Sequence, residues 1–219
     1  MRIIDLSGPL ENGMWSYGDP FPEVRIEQAT TIGEHGVDTH KITLSSISGT
    51  LVETGAHILE DAPTLDRIPL EKLYLDAAVV KVAPKGPREH ITLEELRGSG
   101  VEVRAGDALL VCTGWDSKWN AENFVLDSPH FELECIDWML DQDIFLLGGD
   151  IPCFDDPREG SLTTELNALD KLYRRGKMIL APVVNLGAAA RSRSKLLVLP
   201  LKVVGTCSAP ARAVLLEDE

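Results

Sequence analysis

Glu53 and His57 stand four residues apart within residues 45–63, a stretch rich in small and hydroxyl-bearing side chains, with Glu60 and Asp61 close behind. A carboxylate beside an imidazole orients the ring, holds its tautomer and raises its pKa. Such a pair can carry general acid–base catalysis. The bland alternative is an exposed loop with scattered polar groups, and the spacing is compatible with either.

Other chemistries lack their residues. The chain has no HExxH, no EF-hand loop, no Walker A motif, no GxGxxG and no nucleophile elbow. Cys112, Cys135, Cys153 and Cys207 are far apart and form no CxxC pair, which argues against structural zinc. Most read as buried apolar thiols; Cys153 and Cys207 are candidate nucleophiles, but neither has a sequence-adjacent histidine to activate it, which favours burial. His35 and His90 read as surface residues, and His130 as part of a first helical turn. Trp115 and Asp116 follow a predicted strand, a favoured position for site residues. Asp150, after Gly148-Gly149, has turn chemistry.

These groups need a scaffold, and the chain is long enough to supply one. Its 219 residues suffice for a buried core without disulfides or metal. Hydrophobic residues at 44% and charged residues at 26% exclude a disordered, collagenous or coiled-coil chain. The net charge of −14 opposes nucleic acid and anionic membranes. Apolar runs such as 144–147 are too short to span a bilayer. Asp5 interrupts any signal-peptide core, so a cytoplasmic protein is expected.

Short Val-, Ile- and Leu-rich runs predict strands at 2–6, 24–30, 39–44, 78–82, 108–112, 144–147, 178–180, 196–204 and 212–216. Thr92 and Glu95 form a capping-box pattern that starts a short helix ending at Gly98. Ser128-Pro129 reads as the cap and first residue of a second helix. A third is predicted over 163–175, with Leu166, Leu169 and Leu172 on one side and Gly176 at its end. The order implies one α/β or α+β domain spanning 1–219 with a mixed sheet.

Several segments match a known pattern in order and spacing. Ile4-Asp5-Leu6-Ser7 followed by Met14-Trp15-Ser16-Tyr17-Gly18-Asp19-Pro20 is similar to a "DLT…W-P-G-D-P" start. The segment from Gly106 to Trp115 is similar to "GDxLLxxTGW", Leu147-Gly148-Gly149-Asp150 to "xGxD", and Pro182-Val183-Val184-Asn185-Leu186 to part of "E-x-L-x-N-L". With these, nearly the whole chain resembles the cyclase family of metal-dependent hydrolases, which includes bacterial kynurenine formamidase and isatin hydrolase.

The resemblance implies a single α/β domain on a barrel-like mixed sheet flanked by a few helices. It implies a homodimer or homotetramer and a small-molecule substrate. The family signature H-x-G-T-H-x-D-x-P-x-H maps without a gap onto Ile47 through His57. Gly49 and Thr50 match. The two metal-binding histidines fall on Ile47 and Leu51, the bridging aspartate on Glu53, the proline on Gly55, and the acid–base histidine on His57. The late glutamate ligand falls on Ala181, and no histidine lies between Ser161 and Ala181, where Thr164, Glu165 and Asn167 are the nearby polar residues. Isoleucine, leucine and alanine have no lone pair to give a metal, and one carboxylate cannot hold the family's zinc or manganese.

The resemblance therefore implies an enzyme acting on a small carbonyl compound (an amide, lactone or cyclic metabolite) by metal-independent chemistry at His57 and Glu53. Ile47 and Leu51 would line the substrate pocket, with Trp15 and Tyr17 as its aromatics. The alternative is a catalytically silent member that binds a ligand or partner. A relocated metal site using His57, Glu53 and Glu60, Asp61 or His40 lacks regular ligand spacing.

Overall fold

The computed structural model describes residues 1–158 and 167–218. The elements, in chain order, begin with β1 (Arg2–Asp5), β2 (Arg25–Thr30), α1 (Ile32–His35), β3 (Thr39–Thr43), β4 (Leu51–Glu53) and β5 (Tyr74–Lys81). Next come β6 (His90–Ile91), α2 (Leu93–Gly98), β7 (Ala108–Cys112), β8 (His130–Phe131), α3 (Leu133–Asp141) and β9 (Leu146–Gly149). The last are α4 (Ala168–Arg174), β10 (Met178–Ala181), β11 (Arg193–Pro200) and β12 (Ser208–Glu217). No described helix is long and apolar enough to cross a membrane.

Seven strands close a mixed barrel in the order β12-β11-β5-β7-β9-β10-β4, with β4 returning to β12. The long β12 makes closure possible. Its first residues pair with β4, its middle with β11, and its end also pairs with β1 outside the ring. The pairings β5–β7–β9–β10 are parallel and the rest of the ring is antiparallel. The parallel strands are covered on both faces, as their unbroken Val/Leu/Ala runs require.

Alternation along each strand divides the core in two. Ala77 and Val79 of β5, Leu110 of β7 and Leu180 of β10 point into the barrel with Val52, Val198 and Leu215. Ala78, Val80, Leu109, Val111 and Ile179 point outward against Ile136 and Met139 of α3 and Leu172 of α4. The antiparallel ribbon β2–β3 is a separate two-stranded sheet, and its Ile26 packs against the outer core cluster.

The predicted strands all appear, 108–112 with the same bounds and the others with shifted ends. Helix α2 starts at the Thr92–Glu95 capping box with both arms formed, and ends at Gly98. The second helix starts later than expected. Pro129 leads into β8, whose His130 and Phe131 pair with β6, so α3 begins only at Leu133, with Glu132 at the N-cap position and no side-chain cap. His130 is therefore a buried strand residue and not a helical one. The start of the third predicted helix lies outside the described residues, as do Thr164, Glu165 and Leu166. Its described part, α4, is capped by the Asn167 side chain, and Gly176 follows in the left-handed conformation at φ +66°. Strand β4 lies inside the stretch whose polar residues suggested a loop.

Candidate active site

The site lies on the outer face of the barrel where β4 meets β10. The register pairs Ala181 with Leu51 and Ile179 with Glu53. Residues two apart share a face, so these four side chains point the same way and line one cavity of about 450 Å³. Val52 and Leu180, between them, point into the barrel. Ile47, Tyr17, His57, Phe154, Val125 and Leu169 also line the cavity.

Local turns set the two polar groups. Gly49 takes φ +65°, and a Cβ there would stand 2.5 Å from Leu10 Cδ2. Thr50 Oγ1 donates to Pro182 O at 2.7 Å and accepts from Gly8 N at 2.9 Å. The matched Gly-Thr pair thus ties the N-terminal segment and the segment after β10 to β4. Thr54 then caps a short 3₁₀ turn, accepting from Ala56 N and donating to Pro63 O, and His57 closes that turn. A Cβ on Gly55 would lie 3.3 Å from Tyr173 Cβ, so the turn sits directly on α4.

His57 Nδ1 is 3.2 Å from Glu53 Oε2, and the Tyr173 hydroxyl donates to Glu53 Oε1. Glu53 is only 4% exposed. Burial pushes its carboxyl up, against the opposing pull of His57 and Tyr173. Cys207 Sγ lies 3.7 Å from His57 Nδ1, and their hydrogen bond raises the imidazole and lowers the thiol. Tyr17 donates to Pro152 O at 2.9 Å, and burial pushes its phenol well above the ordinary range.

The expected residues fare unequally. His57, Glu53, Ile47, Leu51 and Tyr17 all line the cavity. Trp15 is a correction: its ring packs edge-on to Tyr17 and Trp119 and against Phe124, and it is not among the lining residues. Trp115 is buried, with Nε1 donating to Phe124 O, and Asp116 accepts from Asn185 N. Asp150 is more than a turn residue. Its buried carboxylate accepts from Thr113 N, Thr113 Oγ1 and Gly114 N, joining the ends of β7 and β9. Cys153 lies on the cavity wall, where burial pushes its thiol up to about 12 and makes it a poor nucleophile. Tyr173 was missed, because it meets the site only through distant packing and belongs to no motif, and Cys207, set aside for want of a sequence-adjacent histidine, meets His57 only through the fold.

The family's metal ligands do not fit here. At its positions Ile47, Leu51 and Ala181 present only carbon to the cavity, and a zinc or manganese ion needs nitrogen, oxygen or sulfur donors. Glu60 and Asp61 line a separate surface depression beyond the 3₁₀ turn. Among the described residues, one group of three possible ligand side chains converges: Glu53, His57 and Cys207.

The barrel with this cavity belongs to a known family. The family model described as "Putative cyclase" matches residues 4–156, and the chain belongs to this cyclase family. It is 31% identical over 220 residues to a kynurenine formamidase of Salinibacter ruber, covering 98% of this chain and 97% of that one. A kynurenine formamidase of Bacillus cereus is 29% identical over 215 residues, covering 97% and 96%. A crystal structure of an isatin hydrolase bound to the product analogue thioisatinate superposes with TM-score 0.86 at 19% identity, covering 99% and 92%.

Proposed function

We propose that the chain is an enzyme acting on a small, uncharged carbonyl compound (an activated amide, a lactone or a cyclic metabolite) by metal-independent acid–base chemistry. The observation that carries this reading is His57, whose Nδ1 lies 3.2 Å from the buried Glu53 carboxylate at the wall of an apolar cavity. That contact leaves Nε2 to serve the substrate. Nε2 takes a proton from a water or from the substrate and returns it to the departing atom. Glu53, itself held by Tyr173, keeps the ring oriented and stabilises its charged form. Ile47, Leu51 and Ala181 contact the apolar part of the ligand where the family places metal donors. Kynurenine formamidases among the relatives support a carbonyl substrate. The acids Glu53 and Asp155, with no lysine or arginine among the described lining residues, favour a neutral one.

The test is a panel of neutral formanilides, lactones and cyclic imides offered to chelator-treated protein. Turnover is expected to persist, and His57→Ala is expected to lower kcat by about 10²–10⁴-fold. An unchanged rate in the variant would remove His57 as the base. A rate abolished by chelation and restored by manganese or zinc would remove metal independence. Binding of panel members without any turnover would favour the silent, ligand-binding reading, which the lost donors at Ile47, Leu51 and Ala181 support.

This reading places the enzyme in the cytoplasm as a homodimer or homotetramer. Four free cysteines suit a reducing compartment. Exposed Ile3, Leu199, Leu201 and Val204, the last 79% exposed, offer apolar surface for self-association, which light scattering of the purified chain would measure.

A further inference from the structure

We infer that Glu53, His57 and Cys207 form a three-donor site for a thiophilic divalent cation of the zinc class. The donors are His57 Nδ1, 3.2 Å from Glu53 Oε2 and 3.7 Å from Cys207 Sγ, with all three ligand atoms within 4.8 Å of one another. Around a tetrahedral zinc, bonds of about 2.0–2.2 Å to nitrogen and oxygen and about 2.3 Å to sulfur set neighbouring donors roughly 3.3–3.6 Å apart. The two separations from Nδ1 lie close to the edges of such a tetrahedron, and the third, between Glu53 and Cys207, is within 4.8 Å.

Proton counting points the same way. Nδ1 carries one proton or one lone pair, yet it faces two neighbours. A proton directed at Glu53 leaves the sulfur with Ser208 alone, and the reverse leaves the carboxylate with Tyr173 alone. A divalent ion satisfies all three at once. A carboxylate and a thiolate also cancel its charge, which matters where Glu53 is buried. The sulfur selects zinc over magnesium or calcium. The set shares only the Glu53 position with the family's metal ligands: Cys207 lies 150 residues from His57 and outside the signature, and Ile47, Leu51 and Ala181 give nothing.

One consequence rests on the acid–base reading above. An ion on Nδ1 fixes the ring as a neutral ligand protonated at Nε2, so it can no longer act as a base. Zinc then inhibits.

The test titrates the reduced, chelator-stripped full chain with Zn²⁺ by calorimetry and with Co²⁺ by absorption. One equivalent should bind, and Co²⁺ should give a thiolate-to-metal charge-transfer band in the near ultraviolet. Cys207→Ser should abolish the band and weaken Zn²⁺ by at least about a hundredfold, since even changes outside the ligand shell cost about 10–100-fold. Bound Zn²⁺ should also protect Cys207 of the unaltered chain from iodoacetamide, mapped by peptide mass, which needs no variant to fold. No stoichiometric binding, an unchanged band in Cys207→Ser, or no protection would each overturn the site. Zinc that binds at the three donors and raises turnover would leave the site standing and overturn the acid–base reading.

Discussion

Asp150 shows what a single buried carboxyl does at the end of a strand. It accepts three hydrogen bonds from Thr113 and Gly114, yet burial pushes its pKa from 3.8 up to about 6. An acid raised in this way binds its proton more readily in the folded chain than in the unfolded one. Between about pH 4 and about pH 6 the native state keeps a proton that the unfolded chain has released, so stability falls as pH rises through this window. The cost is fully present above it. Relative to Asp150→Asn, the native protein should lose on the order of 2–3 kcal/mol between about pH 4 and about pH 7. Urea unfolding of both chains at the two pH values measures it. A difference independent of pH would show that this carboxyl does not titrate in the window.

At the scale of elements, short segments are set by their ends. Helix α2 has six residues and one fully buried side chain, Leu96, so its start matters disproportionately. Thr92 Oγ1 accepts from Glu95 N at 3.3 Å, and Glu95 Oε2 accepts from Thr92 N at 2.9 Å. Thr92→Ala should cost about 1 kcal/mol, read as a fall of about 2–4 °C in Tm for a chain of this size. An unchanged Tm would show that Lys85, paired with Glu95 at the same point, holds the helix without the cap. The 3₁₀ turn carrying His57 follows the same logic, because Thr54 caps it and also anchors it to Pro63 and Cys207.

The whole molecule places the site by closing a ring. β4 joins the barrel through only three register pairs to β10 and three to β12, and it carries both Leu51 and Glu53. The neighbouring wall is tight. A Cβ on Gly148 of β9 would stand 2.5 Å from Leu110 Cδ2 and 3.0 Å from the Leu180 carbonyl oxygen. The backbone oxygen cannot step aside as a flexible side chain can, so Gly148→Ala should destabilise the barrel by about 1–3 kcal/mol. Thermal unfolding measures it. An unchanged Tm would show that β7, β9 and β10 part without cost.

Much of this was legible in the sequence because it depends on neighbours along the chain. Runs such as Ala108–Cys112 read as strands, Thr92–Glu95 as a cap, and the segment from Ile47 to His57 as one that resembles a family signature. Ser128-Pro129 misled, because the residues after the proline pair with β6 before any helix can start. Three features were decided only in three dimensions. The first is the register that sets Ala181 opposite Leu51 and gives four side chains one cavity face. The second is the packing of α4 that brings Tyr173 onto Glu53. The third is barrel closure, which delivers Cys207 to His57 across 150 residues. Local free energies write the elements into the chain, and adjacency between strands far apart exists only once the ring has closed.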